Sequence, residues 1–301
     1  MNHPFEIYRE FIPDYDSFVE GISRPLPIHI RINELKVEPE IALKNLEEKG
    51  ILLQNSVPDD DTLYTASKLK SSGNLMAYFL GHIHPQALTS CLVPLVLSPG
   101  PGSYVLDMCA SPGGKTSQMA HQMGNTGLIV ANELYTDRHI PLAHTLARLG
   151  VMNTIQTAYQ AQEFPLREPF DFVLADVPCS GEGRFRTSAK IPVYKTAGEN
   201  ARLPDLQKKI ILRGFDLLKP GGLMVYATCT YNPGENESIV DFLLKNREAE
   251  LHPIDLRLPC EPGITEWKNE HYEKDLRRSV RFYPHQLDSV GFFMAKIGRK
   301  T

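Results

Sequence analysis

Long apolar runs are missing from this sequence, and their absence removes a membrane-spanning helix, which needs ~20 consecutive apolar residues. The nearest approach, from Leu88 to Leu97, is broken by Thr89, Ser90 and Pro94. The first ten residues carry Glu6 and Glu10 and no uninterrupted apolar core, so no secretory leader is expected and the address is cytoplasmic. A basic excess is missing too: 32 Lys and Arg stand against 36 Asp and Glu, a net charge of −4. That argues against a protein that coats polyanions over its whole surface, while leaving room for a local basic groove. Cysteine is sparse and odd in number, with five residues at 91, 109, 179, 229 and 260. Such spacing fits neither a disulfide framework nor paired zinc ligands, so reduced thiols and no metal are expected. Repeats and low-complexity tracts are absent. What is present is a chain of 301 residues, 42% hydrophobic, long enough for one large α/β unit or two domains.

From about Ser103 onward, short β-rich runs alternate with helical segments: Tyr104–Leu106, Leu128–Val130, Thr154–Gln156, Phe172–Leu174 and Leu223–Tyr226. Strands covered by helices on both faces read as continuous apolar runs, as the second and fourth do, so a doubly wound, mostly parallel sheet is predicted. Helices are predicted over Asp137–Leu149 and Leu206–Leu218, stopped by Gly150 and by Lys219-Pro220-Gly221-Gly222. Upstream, Pro13, Pro25, Pro27 and Pro39 break the chain before a helix from Pro39 to Lys49, and Asp59-Asp60-Asp61 marks a turn. A separate amino-terminal domain is expected at 1–75, followed by a catalytic domain at 76–301 whose first part, 76–100, is a linking helical segment.

The first strand runs into Asp107-Met108-Cys109-Ala110-Ser111-Pro112-Gly113-Gly114-Lys115-Thr116 and then a helix. Glycines at such a turn let a ligand approach the backbone in the crevice beyond the strand ends. A nucleotide-phosphate loop would need Gly where Cys109 stands, and no G-x-G-x-x-G occurs. Glu133, after the second strand, is suitably placed to accept both hydroxyls of a ribose, so a nucleoside cofactor is implied. The plain alternative is a strand-to-helix turn beside a surface carboxylate.

Two cysteines follow strands at the same sheet edge: Cys179 in Asp176-Val177-Pro178-Cys179-Ser180-Gly181, and Cys229 in Thr228-Cys229-Thr230. A cysteine is most often a small buried hydrophobe, and Cys91, Cys109 and Cys260 keep that reading. Cys179 and Cys229 depart from it, since each sits in a turn facing the crevice, one beside an acid and the other between hydroxyls.

These segments, together with Pro233-Gly234-Glu235-Asn236-Glu237, Arg281-Phe282-Tyr283-Pro284-His285 and Gly291-Phe292-Phe293, resemble the Nop/Sun family of S-adenosylmethionine-dependent RNA 5-methylcytosine methyltransferases, which includes RsmB/RsmF-like proteins. Order and spacing match from about residue 80 to 298, and Arg31-Ile32-Asn33 followed by Lys36 resembles the family's R-x-N signature. The resemblance implies a monomeric or weakly associating enzyme with a Rossmann-like class I methyltransferase fold and a small α+β amino-terminal domain that contacts RNA. It implies that Cys109, Ala110, Ser111, Pro112, Gly113, Gly114 and Lys115 hold the methionine end of the cofactor. Glu133 would take the ribose and Gln160 the adenine, with Arg138 also at the cofactor and Asp176 at the cofactor or the target base. The family usually has Asp at the position of Gln160, whose carbonyl can still accept from an adenine amino group. Cys229 would be the nucleophile, Cys179 would assist its release, and Lys115 would touch the base or its phosphate.

The chemistry suits these groups. C5 of cytosine is a poor nucleophile until a thiolate adds to C6 and makes C5 enamine-like, and the same thiolate can leave again. Asp176, protonated or sharing a proton with N3, would neutralise the charge that builds on the ring. The target base must be unstacked, so basic residues should line its path. Arg184, Arg186, Lys190 and Lys195 oppose only Glu182 between 181 and 195, and residues 268–300 hold eight Lys/Arg against four Asp/Glu. Either run is otherwise a solvated face. Arg31, Arg184, Arg186, Lys190, Arg281 and His285 are the RNA-contact candidates. His82, His84 and His285 lack a carboxylate or Cys at ligand spacing, so they are read as structural or RNA-facing. The substrate would be ribosomal or transfer RNA. The rival readings are an RNA-binding ribosome-assembly factor that no longer methylates, motivated by Gln160 but opposed by intact Cys179, Cys229 and Asp176, and a small-molecule methyltransferase, opposed by the amino-terminal domain.

Overall fold

The computed structural model describes residues 4–58, 60–187 and 202–301; Asp59, Lys190 and Lys195 lie outside them. Helix α1 (Tyr15–Ser23) opens the chain, its Asp14 cap accepting from Ser17 N. Then come β1 (Ile28–Ile32), α2 (Pro39–Glu47), β2 (Leu52–Asn55), β3 (Leu63–Ser67), α3 (Met76–Phe79), β4 (Ile83–Pro85) and α4 (Leu88–Leu97). Four strands form an antiparallel sheet in the order β2-β3-β1-β4. Ile30 and Ile32 of β1 pack against Ala42 and Leu46 of α2. Because side chains alternate along a strand, Arg31 between them points the other way. β4 therefore extends this small unit past the expected edge at residue 75, and the segment 76–100 contains a strand as well as helices.

The large sheet follows: β5 (Tyr104–Asp107), α5 (Gly114–Gln122), β6 (Leu128–Asn132), α6 (Thr136–Leu149), β7 (Thr154–Thr157), β8 (Phe170–Asp176), α7 (Leu203–Asp216), β9 (Leu218–Thr228), α8 (Glu237–Asn246), β10 (Ala249–His252), β11 (Glu261–Pro262), the hairpin β12 (Glu266–Trp267) and β13 (Glu270–His271), β14 (Val280–Phe282) and β15 (Phe292–Arg299). Strand order is β11-β14-β15-β9-β8-β5-β6-β7, with β10 beside β15. β7, β6, β5, β8 and β9 run parallel, and β15 closes antiparallel on β9.

Both faces are covered, which accounts for the continuous apolar strands. Val105, Ile129, Leu174 and Val225 meet α4 and α5, while Leu106, Val130, Val173 and Met224 meet Ile210, Ile211 and Phe215 of α7 and Ile239, Val240 and Leu243 of α8. α6 ends on Gly150 at φ +74, the left-handed cap that glycine suits. α7 ends sooner than the glycine run would place it. Leu217 caps the helix, Leu218 is already strand, and Lys219 Nζ sits 2.6 Å from Asp171 Oδ1 across a local break in β8–β9 register.

The amino-terminal segment does not stay with the small sheet. Phe5, Tyr8, Tyr15 and Phe18 form an aromatic knot with Tyr231 and Tyr283 of the catalytic region. Among the described residues, no helix is long and apolar enough to cross a membrane.

Candidate active site

From β5 the chain proceeds to β6 and β7 on one side, and later to β8 and β9 on the other. The switch between β5 and β8 is where loops beyond the strand ends diverge and leave a crevice. A cleft of about 750 Å³ lies there, and residues of the β5, β8 and β9 loops line it, including Cys109, Ser111, Lys115, Asp176, Cys179 and Cys229.

The β5 loop turns through Gly113 at φ +99, where an added Cβ would stand 3.0 Å from Leu142 Cδ1. At its base Asp107 is 1% exposed and accepts from Thr116 Oγ1 at 2.7 Å, while its Oδ1 has no hydrogen-bond partner. Burial pushes this carboxyl up to about 6, against the pull of the Thr116 hydroxyl. Glu133 ends the β6 segment with 3% exposure. It accepts from Tyr135 N at 3.1 Å and lies 3.4 Å from Arg138 Nη1. Arg138 also donates to Ser111 O at 2.9 Å, tying the glycine loop to Glu133. Lys115, on the first turn of α5, reaches Asp176 Oδ2 at 2.6 Å. Burial works against the Lys115 charge, but Asp176, with Asp107 and Cys229 adding to it, prevails and holds the amine above its ordinary range.

The two sulfurs stand 3.3 Å apart. Cys229 is held below the ordinary thiol range by a hydrogen bond from Cys179, helped by Arg184 and Lys115 and opposed by burial and Asp176. Cys179 is pushed well above that range by the same bond, by burial and by the charges of Cys229 and Glu235. These directions favour Cys179 as the donor of the pair and Cys229 as the sulfur that ionises first.

Several residues that hold this pair had no assigned role in the sequence. Glu235, 2% exposed, accepts from Ser180 N at 2.9 Å and from Gln207 Nε2 at 3.0 Å, and Gln207 also donates to Pro178 O. Asn236 accepts from Thr228 Oγ1 at 2.5 Å and donates to Thr230 O at 3.0 Å, clamping the turn that bears Cys229. Gly183 N donates to Cys229 O at 2.9 Å, and a Cβ at Gly183 would strike Gly291 O at 2.1 Å. Asn132 pins the β7 exit, accepting from Tyr159 N and donating to Tyr159 O and Met108 O.

Not every expected residue arrives at the cleft. Gln160 is exposed and engages Glu163 and Gln162. Arg184 is exposed at the cleft mouth. Three other RNA-contact candidates are corrected by burial. Arg31 is 0% exposed and donates to Ser117 Oγ at 2.8 Å, while its motif partner Asn33 donates to Gly81 O and Leu149 O, so the R-x-N segment is a seam between the small sheet and the catalytic body. Arg281 is 1% exposed and forms a buried ion pair with Glu237. Arg186 is 8% exposed, pairs with Asp288, and donates to Arg24 O and Pro25 O. His285 is half-buried against Phe18 and Tyr283. Cys91 is buried, and Cys109 packs against the core while also lining the cleft. Among the described residues, no group of three His, Cys, Asp or Glu is arranged to hold a metal ion.

The profile of a family described as 16S rRNA methyltransferase RsmB/F matches residues 94–298. Over 287 residues the chain is 38% identical to the tRNA (cytosine(49)-C(5))-methyltransferase of Pyrococcus abyssi, covering 95% of this chain and 92% of that protein. It is 36% identical over 290 residues to the 26S rRNA (cytosine-C(5))-methyltransferase nsun-1 of Caenorhabditis elegans, covering 93% of this chain but only 43% of that longer relative. A crystal structure of a methyltransferase homologue from Pyrococcus horikoshii superposes with a TM-score of 0.84 at 32% identity, over 94% of this chain and 90% of that one.

Proposed function

Because the chain belongs to the 16S rRNA methyltransferase RsmB/F family, we propose that it is an RNA (cytosine-C5)-methyltransferase that uses S-adenosylmethionine and a covalent cysteine adduct. The observation that carries the reading is the cysteine pair, 3.3 Å apart at the switch-point cleft with opposite shifts in acidity. Intact Cys179, Cys229 and Asp176 leave nothing to favour a non-methylating assembly factor.

The residues present fit the cofactor. Asp107 Oδ1 is a buried acceptor without a partner at the base of the glycine loop, and Glu133 is a nearly buried carboxylate beyond the next strand. The loop from Cys109 to Lys115 would hold the methionine end, Glu133 the ribose hydroxyls, and Arg138 would brace both. Gln160 remains assigned to the adenine, its amide turning from Gln162 and Glu163 to do so. When bound, S-adenosylmethionine supplies an electrophilic methyl group for C5.

The chain's own groups do the rest. Cys229 Sγ adds to C6 of an unstacked cytosine. As it adds, the proton shared by Lys115 and Asp176 passes to the ring nitrogen and neutralises the charge that builds there. The Cys179 thiol, already hydrogen-bonded to Cys229, steadies that sulfur as thiolate before attack and again as it leaves. Arg184 at the mouth pairs with RNA phosphate, and the small amino-terminal unit, with exposed Lys68 and Lys70, extends the RNA contact.

Bisulfite sequencing of transfer and ribosomal RNA incubated with the protein and S-adenosylmethionine tests the function. A cytidine that becomes resistant to conversion is expected. Complete conversion in both RNA pools contradicts it.

A further inference from the structure

Each turnover of this reaction replaces the C5 hydrogen by a methyl group, so one proton must leave the ring. The Cys179 sulfur is already engaged with Cys229 Sγ at 3.3 Å, so it serves the departing thiolate and not the ring proton. A second path runs from the same loop. Ser180, which lines the cleft beside Cys179, lies with its Oγ 2.7 Å from Thr230 Oγ1. Thr230 donates its only hydroxyl hydrogen to Glu182 Oε2 at 3.0 Å, so Ser180 is the donor in the first link. Asn232 N also donates to Thr230 Oγ1, at 3.2 Å, which completes that oxygen's bonding. The two links point from the cleft toward one carboxylate.

We propose that Ser180, Thr230 and Glu182 form a proton relay that drains the C5 proton, with Glu182 as its terminal acceptor acting through the two hydroxyls. The C5–H bond breaks and its electrons restore the C5–C6 double bond, expelling Cys229 as thiolate. The released proton goes to Ser180 Oγ, the Ser180 proton to Thr230 Oγ1, and the Thr230 proton to the Glu182 carboxylate, which later passes it to solvent.

The setting of Glu182 suits this role. Tyr8 OH donates to its two oxygens at 3.0 Å each, Thr230 donates from the cysteine loop, the Tyr231 backbone adds a hydrogen bond, and Glu235 faces it with like charge. Burial raises the carboxyl to about 7, with Glu235 adding and the three donors opposing. Such a group gains and loses a proton near neutrality. Tyr8 belongs to the amino-terminal aromatic knot, so that segment reaches the chemistry through one hydroxyl.

The relay rests on the cytosine-methylating reading, and single-turnover methylation over about pH 5.5 to 8.5 separates the two. In wild type the elimination rate rises with pH through about 7, as the carboxylate loses its proton. Glu182→Gln keeps the shape but not the acceptor. It should slow elimination by roughly a hundredfold, accumulate the covalent protein–RNA adduct with Cys179 intact, and lose that pH limb. Thr230→Val should do the same. Tyr8→Phe, which removes a donor to the carboxylate, should move the limb to higher pH. A Glu182→Gln enzyme that turns over like wild type overturns the relay, and so does one that slows without adduct and keeps the pH limb, since that is a structural defect alone. Wild type that transfers no methyl group to cytidine overturns the function, and the relay with it.

Discussion

Glu133 meets solvent with only 3% of its surface and is gripped by Tyr135 N and Arg138, so its carboxylate is already oriented for a ribose. Glu133→Ala should weaken S-adenosylmethionine binding by tenfold or more, since hydrogen bonds to a charged acceptor are worth about 1.5–3 kcal/mol. Calorimetry on the folded variant reads this directly, and wild-type affinity would remove Glu133 from the cofactor site. At this scale the meeting of these residues at one cleft was legible in the sequence. Cys179, Cys229, Asp176 and Lys115 each follow a strand or open a helix at one sheet edge, and chain order alone brings them together. The arginines were not. A guanidinium in a basic run and one in a core look alike as letters, and only packing shows that Arg31 and Arg281 are interior.

Elements carry the cysteines through buried polar joints, and the joint between α8 and β14 is the most charged. Arg281 and Glu237 pair there at 1% and 0% exposure, with Arg281 also donating to Tyr231 O just beyond Cys229. Breaking a buried pair from one side leaves an uncompensated charge, so Arg281→Ala should cost about 3–5 kcal/mol of stability. Arg281→Met with Glu237→Leu should cost clearly less than the two single changes summed, although the Ile264 amide loses its acceptor. Urea unfolding of the four proteins measures this cycle. An Arg281→Ala protein that is fully stable but binds RNA poorly would return Arg281 to the RNA surface. The parallel strands were readable because burial on both faces makes them apolar throughout. The boundary of α7 was not, because Leu217 and Leu218 are equally apolar in a helix and in the bulged start of β9.

Across the whole molecule, the small sheet is bound to the catalytic body by Arg31, Asn33 and the histidines on the same seam. Burial lowers His29 to about 4, and burial with the nearby charges of Arg31 and Arg148 lowers His84 to about 3. The unfolded chain binds protons at both near pH 6.5 while the folded chain does not, so acid below about 6.5 removes stability. Each histidine contributes up to roughly 1.4 kcal/mol per pH unit. Asp107 and Glu182, whose protonated forms the fold favours, act in the opposite sense over part of that range. The histidine share is therefore the difference between wild type and His29→Gln/His84→Gln in unfolding free energy from pH 7 to 5. The double variant should lose less, and equal loss would contradict the buried, neutral histidines. This seam was not legible from sequence, since the pairing of β4 with β1 and the aromatic knot join segments far apart in the chain.

The cysteine roles tie these scales together, and a denaturing gel of protein incubated with cytidine-containing substrate RNA and S-adenosylmethionine tests them most directly. With Cys229 as nucleophile and Cys179 as the donor that eases its departure, Cys179→Ala should show a slow-migrating covalent band and Cys229→Ala none. A band from Cys229→Ala that vanishes in Cys179→Ala would reverse the assignment.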